Sequence, residues 1–206
     1  MKSGIRIAAA ASGPIKGRKS TLLVIVVYRE GIVEGVLSDK IGVDSSDSSK
    51  KIISRINRSR FKDQVKVLAL NGIALAGLNV VDVHSVSKAL GVEFIILTRK
   101  KPHKDLLIKA VERIRSESKE GTKAAIAAKR DIGLINGVGM LQIKKVNGFY
   151  AQSSLDLGKS DSGLVRSAFE ALRIAHLIAN GVETGESRAA YKLRFAECPF
   201  YRLRPH

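Results

Sequence analysis

Cysteine is nearly missing from this chain, and tryptophan is missing altogether. The single thiol, Cys198, excludes an intrachain disulfide and a thiolate metal cluster, and it fits a reducing compartment. Aromatic residues make up only 5% of the sequence, so little surface is available for stacking bases; Tyr150, Tyr191, Phe195 and Tyr201 are the candidates. No apolar run approaches the roughly 18 residues of a membrane span. The segment Met1–Gly13 imitates a signal peptide, because Lys2 and Arg6 precede four alanines. Its apolar stretch is about five residues, short of the roughly 7–15 that a signal needs. It therefore reads as a first strand, and the protein as cytoplasmic. Acidic residues are also in deficit: 19 Asp and Glu face 36 Lys and Arg, for a formal net charge of +17 and a pI near 10.2. That asymmetry favours a polyanionic partner, of which nucleic acid is the commonest.

Against these gaps stand 45% hydrophobic residues, enough to fill a core in a 206-residue chain. Ile5–Ala11 is an apolar run of small residues that suits a buried strand. Thr21–Tyr28, rich in β-branched residues, gives the strongest strand signal. Ile32–Val43 predicts a third strand after a tight turn at Arg29-Glu30-Gly31. Ser46, Asp47 and Ser48 are helix caps for a segment with Ile52, Ile53 and Ile56 on one face. Val65–Leu70 and Phe94–Leu97 are further strands, separated by a helix that Asn79 and Gly91 bracket. Pro102 opens an amphipathic helix. Gly121–Arg130 reads as a loop, and Ile132–Ile135 and Leu141–Val146 as weaker strands. Asn147-Gly148 signals a hairpin turn. Leu164–Ala179 is helical, with Gly181 just beyond its end. The division expected is a domain over 1–182 and a basic tail over 183–206.

Three consecutive strands favour an antiparallel meander, and the strand–helix–strand crossovers that follow require parallel pairing. The fold class expected is α/β: a mixed five-stranded sheet of the ribonuclease H type, with helices on both faces.

Two tempting motifs fail. In Gly13–Thr21, Arg18 stands where a phosphate loop needs glycine before its lysine, and a strand follows where a helix is required. Gly137-Val138-Gly139 lacks the rest of a dinucleotide fingerprint. A two-metal nuclease of this topology needs carboxylates at the ends of the first and fourth strands. The first strand ends Ala10-Ala11-Ser12, and the fourth runs into Asn71, an amide that brings no negative charge to a metal. Asp44, Asp47 and Asp82 remain, but Asp47 reads as a helix cap, and Asp44 and Asp82 as helix-start residues that favour the dipole. His84 and His176 lie within helices, and His176, beside the apolar stripe of its helix, reads as a packed histidine.

The positive evidence is basic. Lys16, Arg18 and Lys19 form one cluster; Lys50, Lys51, Arg55, Arg58, Arg60 and Lys62 another; then Arg99, Lys100, Lys101 and Lys104; Lys144 and Lys145; and a group in the tail. Each alone suits a solvated surface, and together they can neutralise several phosphates.

Four stretches carry a family resemblance. Ile5–Pro14, Val43–Ser49 (VDSSDSS), Leu68–Val83 (LALNGIALAGLNVVDV) and Glu170–Ser187 (EALRIAHLIANGVETGES) resemble segments of endonuclease V. They resemble more closely an uncharacterised archaeal family related to it, domain of unknown function ninety-nine. The resemblance implies that Ala11, Ser12 and Asn71 stand where the family carries aspartates, and that Asp44, Asp47 and Asp82 match retained positions. It implies a nuclease-derived protein that binds DNA or RNA with a degenerate metal site. No cofactor is expected, and no membrane. Two alternatives stay open: a working endonuclease, with Mg²⁺ held by Asp44, Asp47 and Asp82, and a protein-interaction subunit of a nucleoprotein complex.

Overall fold

A computed structural model describes residues 4–117, 121–158 and 161–187. Strands β1 (Arg6–Ser12), β2 (Ser20–Arg29) and β3 (Ile32–Gly42) form the antiparallel meander expected of them. Leu23–Val27 is buried at every position, because β2 is covered on both faces and has no solvent side to alternate toward. Helix α1 (Ser48–Asn57) crosses back to β4 (Val65–Leu70), which lies parallel to β1. A two-rung hairpin, β5 (Ala74–Leu75) and β6 (Asn79–Val80), precedes α2 (Val83–Leu90) and β7 (Glu93–Thr98), which is parallel to β4. Asn79, expected to open α2, is instead buried in β6, and Asp82 caps that helix.

The sheet has seven strands rather than the expected five. After α3 (Lys104–Ser116) and α4 (Thr122–Gly139), β8 (Lys144–Val146) and β9 (Phe149–Ser153) turn about Asn147-Gly148. That hairpin extends the sheet beyond β7, giving the order β3-β2-β1-β4-β7-β9-β8. The stretch 121–130, expected as loop, and Ile132–Ile135, expected as strand, belong to one helix, α4. Ala124, Ala128, Asp131, Ile135 and Val138 recur at helical spacing and turn inward, while Lys123, Lys129 and Arg130 face water. Four apolar residues in a row fit either period, and the longer pattern decides. Of Leu141–Val146 only the last three residues are strand. Helix α5 (Ser162–Thr184) runs through Gly181, expected to end it, and stops at Gly185, whose φ is +76°.

Two cores flank the sheet. Ile7, Ala9 and Ala11 of β1, with Val24, Val26, Val67, Ala69, Ile95 and Leu97, pack against α5 alone among the helices. Ala8, Ala10, Leu23, Ile25, Leu68 and Leu70 pack against α1 and α2 on the other face. A smaller cluster of Val80, Val111 and Ile135 joins the β5–β6 hairpin to α3 and α4. Among the described residues no helix is long and apolar enough to cross a membrane.

Candidate nucleic-acid interface

Because β1, β4 and β7 are parallel, the segments that follow them emerge at one end of the sheet. The loop after β3 and the start of β2 lie at that end too. Neighbouring strands sit about 4.8 Å apart, so residues just past their ends are neighbours. Asn71 follows β4 there, and α5 brings His176 to it, with Asn71 Nδ2 and His176 Nε2 3.4 Å apart. The imidazole is half-buried, and burial holds it below the ordinary histidine value. His176 is therefore mostly neutral at neutral pH. Sequence reasoning took it for packing; its spacing, four residues after Leu172 at the margin of the stripe, was the available signal.

The positions equivalent to family aspartates divide. Ala11 is fully buried and faces α5, inside a core rather than a site. Ser12 faces the β5–β6 hairpin, and its Oγ accepts from Ala76 N at 2.9 Å. The carboxylate that does reach the end of β1 is Glu183, another residue the sequence did not single out. It accepts from Leu22 N at 2.9 Å and forms an ion pair with Arg18.

The three aspartates are each engaged locally. Asp44, at φ +52°, accepts from Leu78 N through Oδ1 at 2.8 Å. A Cβ on Gly77 would fall 2.3 Å from that same oxygen, so the turn admits only glycine. Asp47 occupies the N-cap position of α1 but makes no capping bond. Its carboxylate takes Asn79 Nδ2 at 2.6 Å and Gly42 N at 3.3 Å, while Asn79 Oδ1 accepts from Ser48 N in its place. Asp82 is a cap by geometry, accepting from Ser85 N at 3.0 Å and Ser85 Oγ at 2.6 Å. Among the described residues no three His, Cys, Asp or Glu side chains come together as a metal site. A hard cation such as Mg²⁺ wants several anionic oxygens in octahedral array. Ser12, Asn71 and a neutral imidazole bring no negative charge there, and the one carboxylate described at that end, Glu183, is already held by Leu22 N and Arg18.

A buried acid outside the expected set anchors the loop that carries Asp44. Asp131, on α4, is fully buried and accepts from Arg115 Nη2 and Arg130 Nε, each at 3.0 Å. Arg115 in turn donates to Asp44 O at 2.7 Å and Ser45 O at 3.2 Å. One guanidinium thus ties the helical hairpin to the β3–α1 turn.

The basic residues expected to meet phosphate separate into two ends. Lys16, Arg18 and Lys19 lie in the β1–β2 loop, and Arg99, Lys100 and Lys101 in the β7–α3 loop, all at the end that carries Asn71 and His176. Lys145, on β8, sits level with the end of β7, its ammonium 5.7 Å from the centre of the Tyr150 ring. Lys144 is drawn to Asp156 at 2.5 Å and Leu157 O at 2.8 Å. Arg58 and Arg60 are at the opposite end, where α1 stops and β4 begins, and Arg60 donates to Glu34 O at 3.3 Å. The basic residues beyond 187, with Tyr191, Phe195 and Tyr201, lie outside the described residues.

The chain resembles known proteins. A UPF0215 protein of Thermococcus sibiricus is 35% identical over 174 residues, 84% of this chain and 87% of that protein. A protein of unknown function from Archaeoglobus fulgidus, known as a crystal structure, is 24% identical at a TM-score of 0.71, covering 86% of this chain and 98% of its own. The crystal structure of human ENDOV is 10% identical at a TM-score of 0.46, over 85% of this chain and 82% of its own. The profile of one family, described as endonuclease dU, matches residues 3–183. The mixed sheet and its helices are thus shared with that archaeal structure, and the chain belongs to the endonuclease dU family.

Proposed function

We propose that this chain binds DNA or RNA across the rim at the carboxyl ends of β1, β4 and β7, on a ribonuclease H-type scaffold that lacks its two-metal centre. The observation that carries the reading is the Asn71–His176 pair, a neutral amide and imidazole set between two basic loops. Cations at the margin attract a phosphate backbone without regard to sequence. Hydrolysis by two metals needs a charged clamp on the attacking and leaving oxygens. At the strand ends the groups on offer are a serine hydroxyl that already accepts from Ala76 N, a carboxamide, an uncharged histidine and one carboxylate, Glu183, already paired with Arg18. The family's name supports nucleic acid as the partner class.

The rival reading is an endonuclease that holds Mg²⁺ on Asp44, Asp47 and Asp82. It requires these carboxylates, engaged with the amides of Leu78, Gly42 and Ser85, to converge on one ion, whereas among the described residues no three such side chains come together. Calorimetric titration of Mg²⁺ and Mn²⁺ beside a cleavage assay on deaminated, mismatched and flapped substrates separates the two. Binding without cleavage is expected. Metal-dependent turnover abolished by Asp44→Ala or Asp82→Ala refutes the reading and establishes its rival.

A further inference from the structure

Strand β3 forms one edge of the sheet, and three large apolar residues stand exposed on it: Ile32 at 60%, Val33 at 41% and Val36 at 47%. The direction of its free backbone groups follows from two side-chain bonds. The amides of Lys40 and Gly42 donate to the carboxylates of Asp39 and Asp47, so they are not spent on β2. In an antiparallel strand alternate residues turn both N–H and C=O to the same side. Val36 and Ser38 therefore turn theirs outward too, and among the described residues nothing outside the β2–β3 ladder bonds to them. This window is closed at each end. Glu34, the extra residue of a bulge opposite Val27 and Tyr28, has its carbonyl taken by Arg60, and Asp39 holds the amide of Lys40. Edge strands are commonly blunted by lysine, proline or a bulge. Between Gly35 and Asp39 there is none of these, and the free donors and acceptors are disposed evenly about Leu37.

We propose that β3 pairs with β3 of a second copy of this chain, antiparallel, with the two-fold axis at Leu37. Each Val36 then stands opposite Ser38 of the second copy, and four N–H···O=C bonds use every free group in the window. The two Val36 side chains become diagonal neighbours across the seam. Local charge permits a second copy at this edge. A two-fold contact sets a patch against itself, and a chain of net charge +17 repels its like. Residues 30–47, however, hold five of the 19 acidic residues and only one of the 36 basic ones. Glu34 is paired with Arg6 and Arg29, and Asp39 with Lys51, which leaves the edge close to neutral. The inference stands apart from the nucleic-acid reading.

Sedimentation equilibrium of the full, nuclease-treated chain tests it. One strand pair is a small contact, so dissociation is expected at about micromolar concentration. The mass should rise with concentration toward twice 22.3 kDa. Raising salt from about 0.1 to 1 M shortens the screening length from about 10 to 3 Å and should strengthen the pair, because like charge is what opposes it. Ser38→Pro removes an outward amide, a change an edge strand tolerates, and with it two of the four bonds. Val36→Lys sets two ammonium groups at the seam. Each should weaken the pair at least about tenfold while the circular dichroism stays that of the parent. Leu37→Cys, in a Cys198→Ser background, reads the register. Its two Cα atoms would lie about 4.5 Å apart, within disulfide reach, so oxidation should give a covalent dimer. Val33→Cys, about 27 Å from its counterpart in that register, should not cross-link. A monomer at every concentration and salt, a dimer that both edge variants retain, or cross-linking through Val33→Cys rather than Leu37→Cys overturns the proposal.

Discussion

Replacing Lys100 and Lys101 together by alanine tests where nucleic acid lies on this molecule. Five lysines on the rim, Lys16, Lys19, Lys100, Lys101 and Lys145, are exposed and make no ion pair among the described residues. Arg18 and Lys144 are already neutralised by Glu183 and Asp156, and Arg99 is engaged within the fold, so none of the three is counted. If each of the five meets one phosphate, log K should fall with log salt at a slope of about −3.5 for a single strand and about −4.5 for a duplex. Between 50 and 200 mM salt that is a loss of about 10²-fold for the single strand and about 500-fold for the duplex. The Lys100→Ala/Lys101→Ala protein should bind more weakly at every salt concentration, with the slope shallower by about 1.5. Anisotropy titrations at four salt concentrations measure it. The matched control is Arg58→Ala/Arg60→Ala, which removes the same charge from the opposite end of the sheet and should leave the slope close to that of the parent. A slope that responds to the Arg58 and Arg60 pair but not to the rim lysines refutes the placement.

Three further outcomes follow from the contacts described. Asp131→Ala strands Arg115 in a largely buried position and should cost about 3–5 kcal/mol in urea unfolding; Arg115→Met/Asp131→Ala should cost less than the two single changes together, and strict additivity would mean that the pair is not coupled. Burial depresses the pKa of His176, so the unfolded chain takes up that proton first, and this contribution to stability is present above about pH 6.5 and lost as pH falls toward the folded value. His176→Gln should flatten the fall in unfolding midpoint measured between pH 8 and pH 5, and an unchanged pH dependence contradicts the assignment. Aspartate at Ser12 together with Asn71 should produce Mg²⁺ binding detectable by calorimetry in a folded protein, whereas Ala11→Asp buries a charge against α5 and should unfold at markedly lower urea; the reverse order of tolerance would show that Ala11 is the site-facing position.

Much of the fold was legible because period and burial agree. The apolar runs Thr21–Tyr28 and Val65–Leu70 are short and rich in β-branched residues, which favours buried strands, and both stand where expected. The misreadings come from positions where local pattern is ambiguous and tertiary contact decides. Ile132–Ile135 satisfies a strand and a helix equally until α3 supplies a surface for Ala128, Ile132 and Ile135. Asp47 and Ser48 look like caps, but Asn79, 32 positions from Asp47, takes over that hydrogen bond from within β6. The candidate site was less legible still. That His176 meets Asn71 depends on how α5 crosses the sheet, and that Glu183 meets the start of β2 depends on the helix passing Gly181. Neither is encoded in the neighbouring sequence. The absence of carboxylates at Ser12 and Asn71 could be read directly, because there the identity of the residue is itself the observation.

That one sheet face is covered by α5 alone has a consequence for how the molecule comes into being. During synthesis β1, β2, β4, β7 and β9 all leave the ribosome before the helix that seals them. Until residues 164–179 emerge, Val24, Val26, Val67, Ile95 and Leu97 have no partner layer. The α1 and α2 face closes early, from contacts near in sequence; the other must wait for a segment more than 150 positions from β1. Contacts so distant along the chain slow folding and leave apolar surface open to other chains meanwhile. Half of the core is therefore completed only once α5 has been made, and a nascent chain stalled in the β9–α5 connection would be a sticky, half-covered sheet.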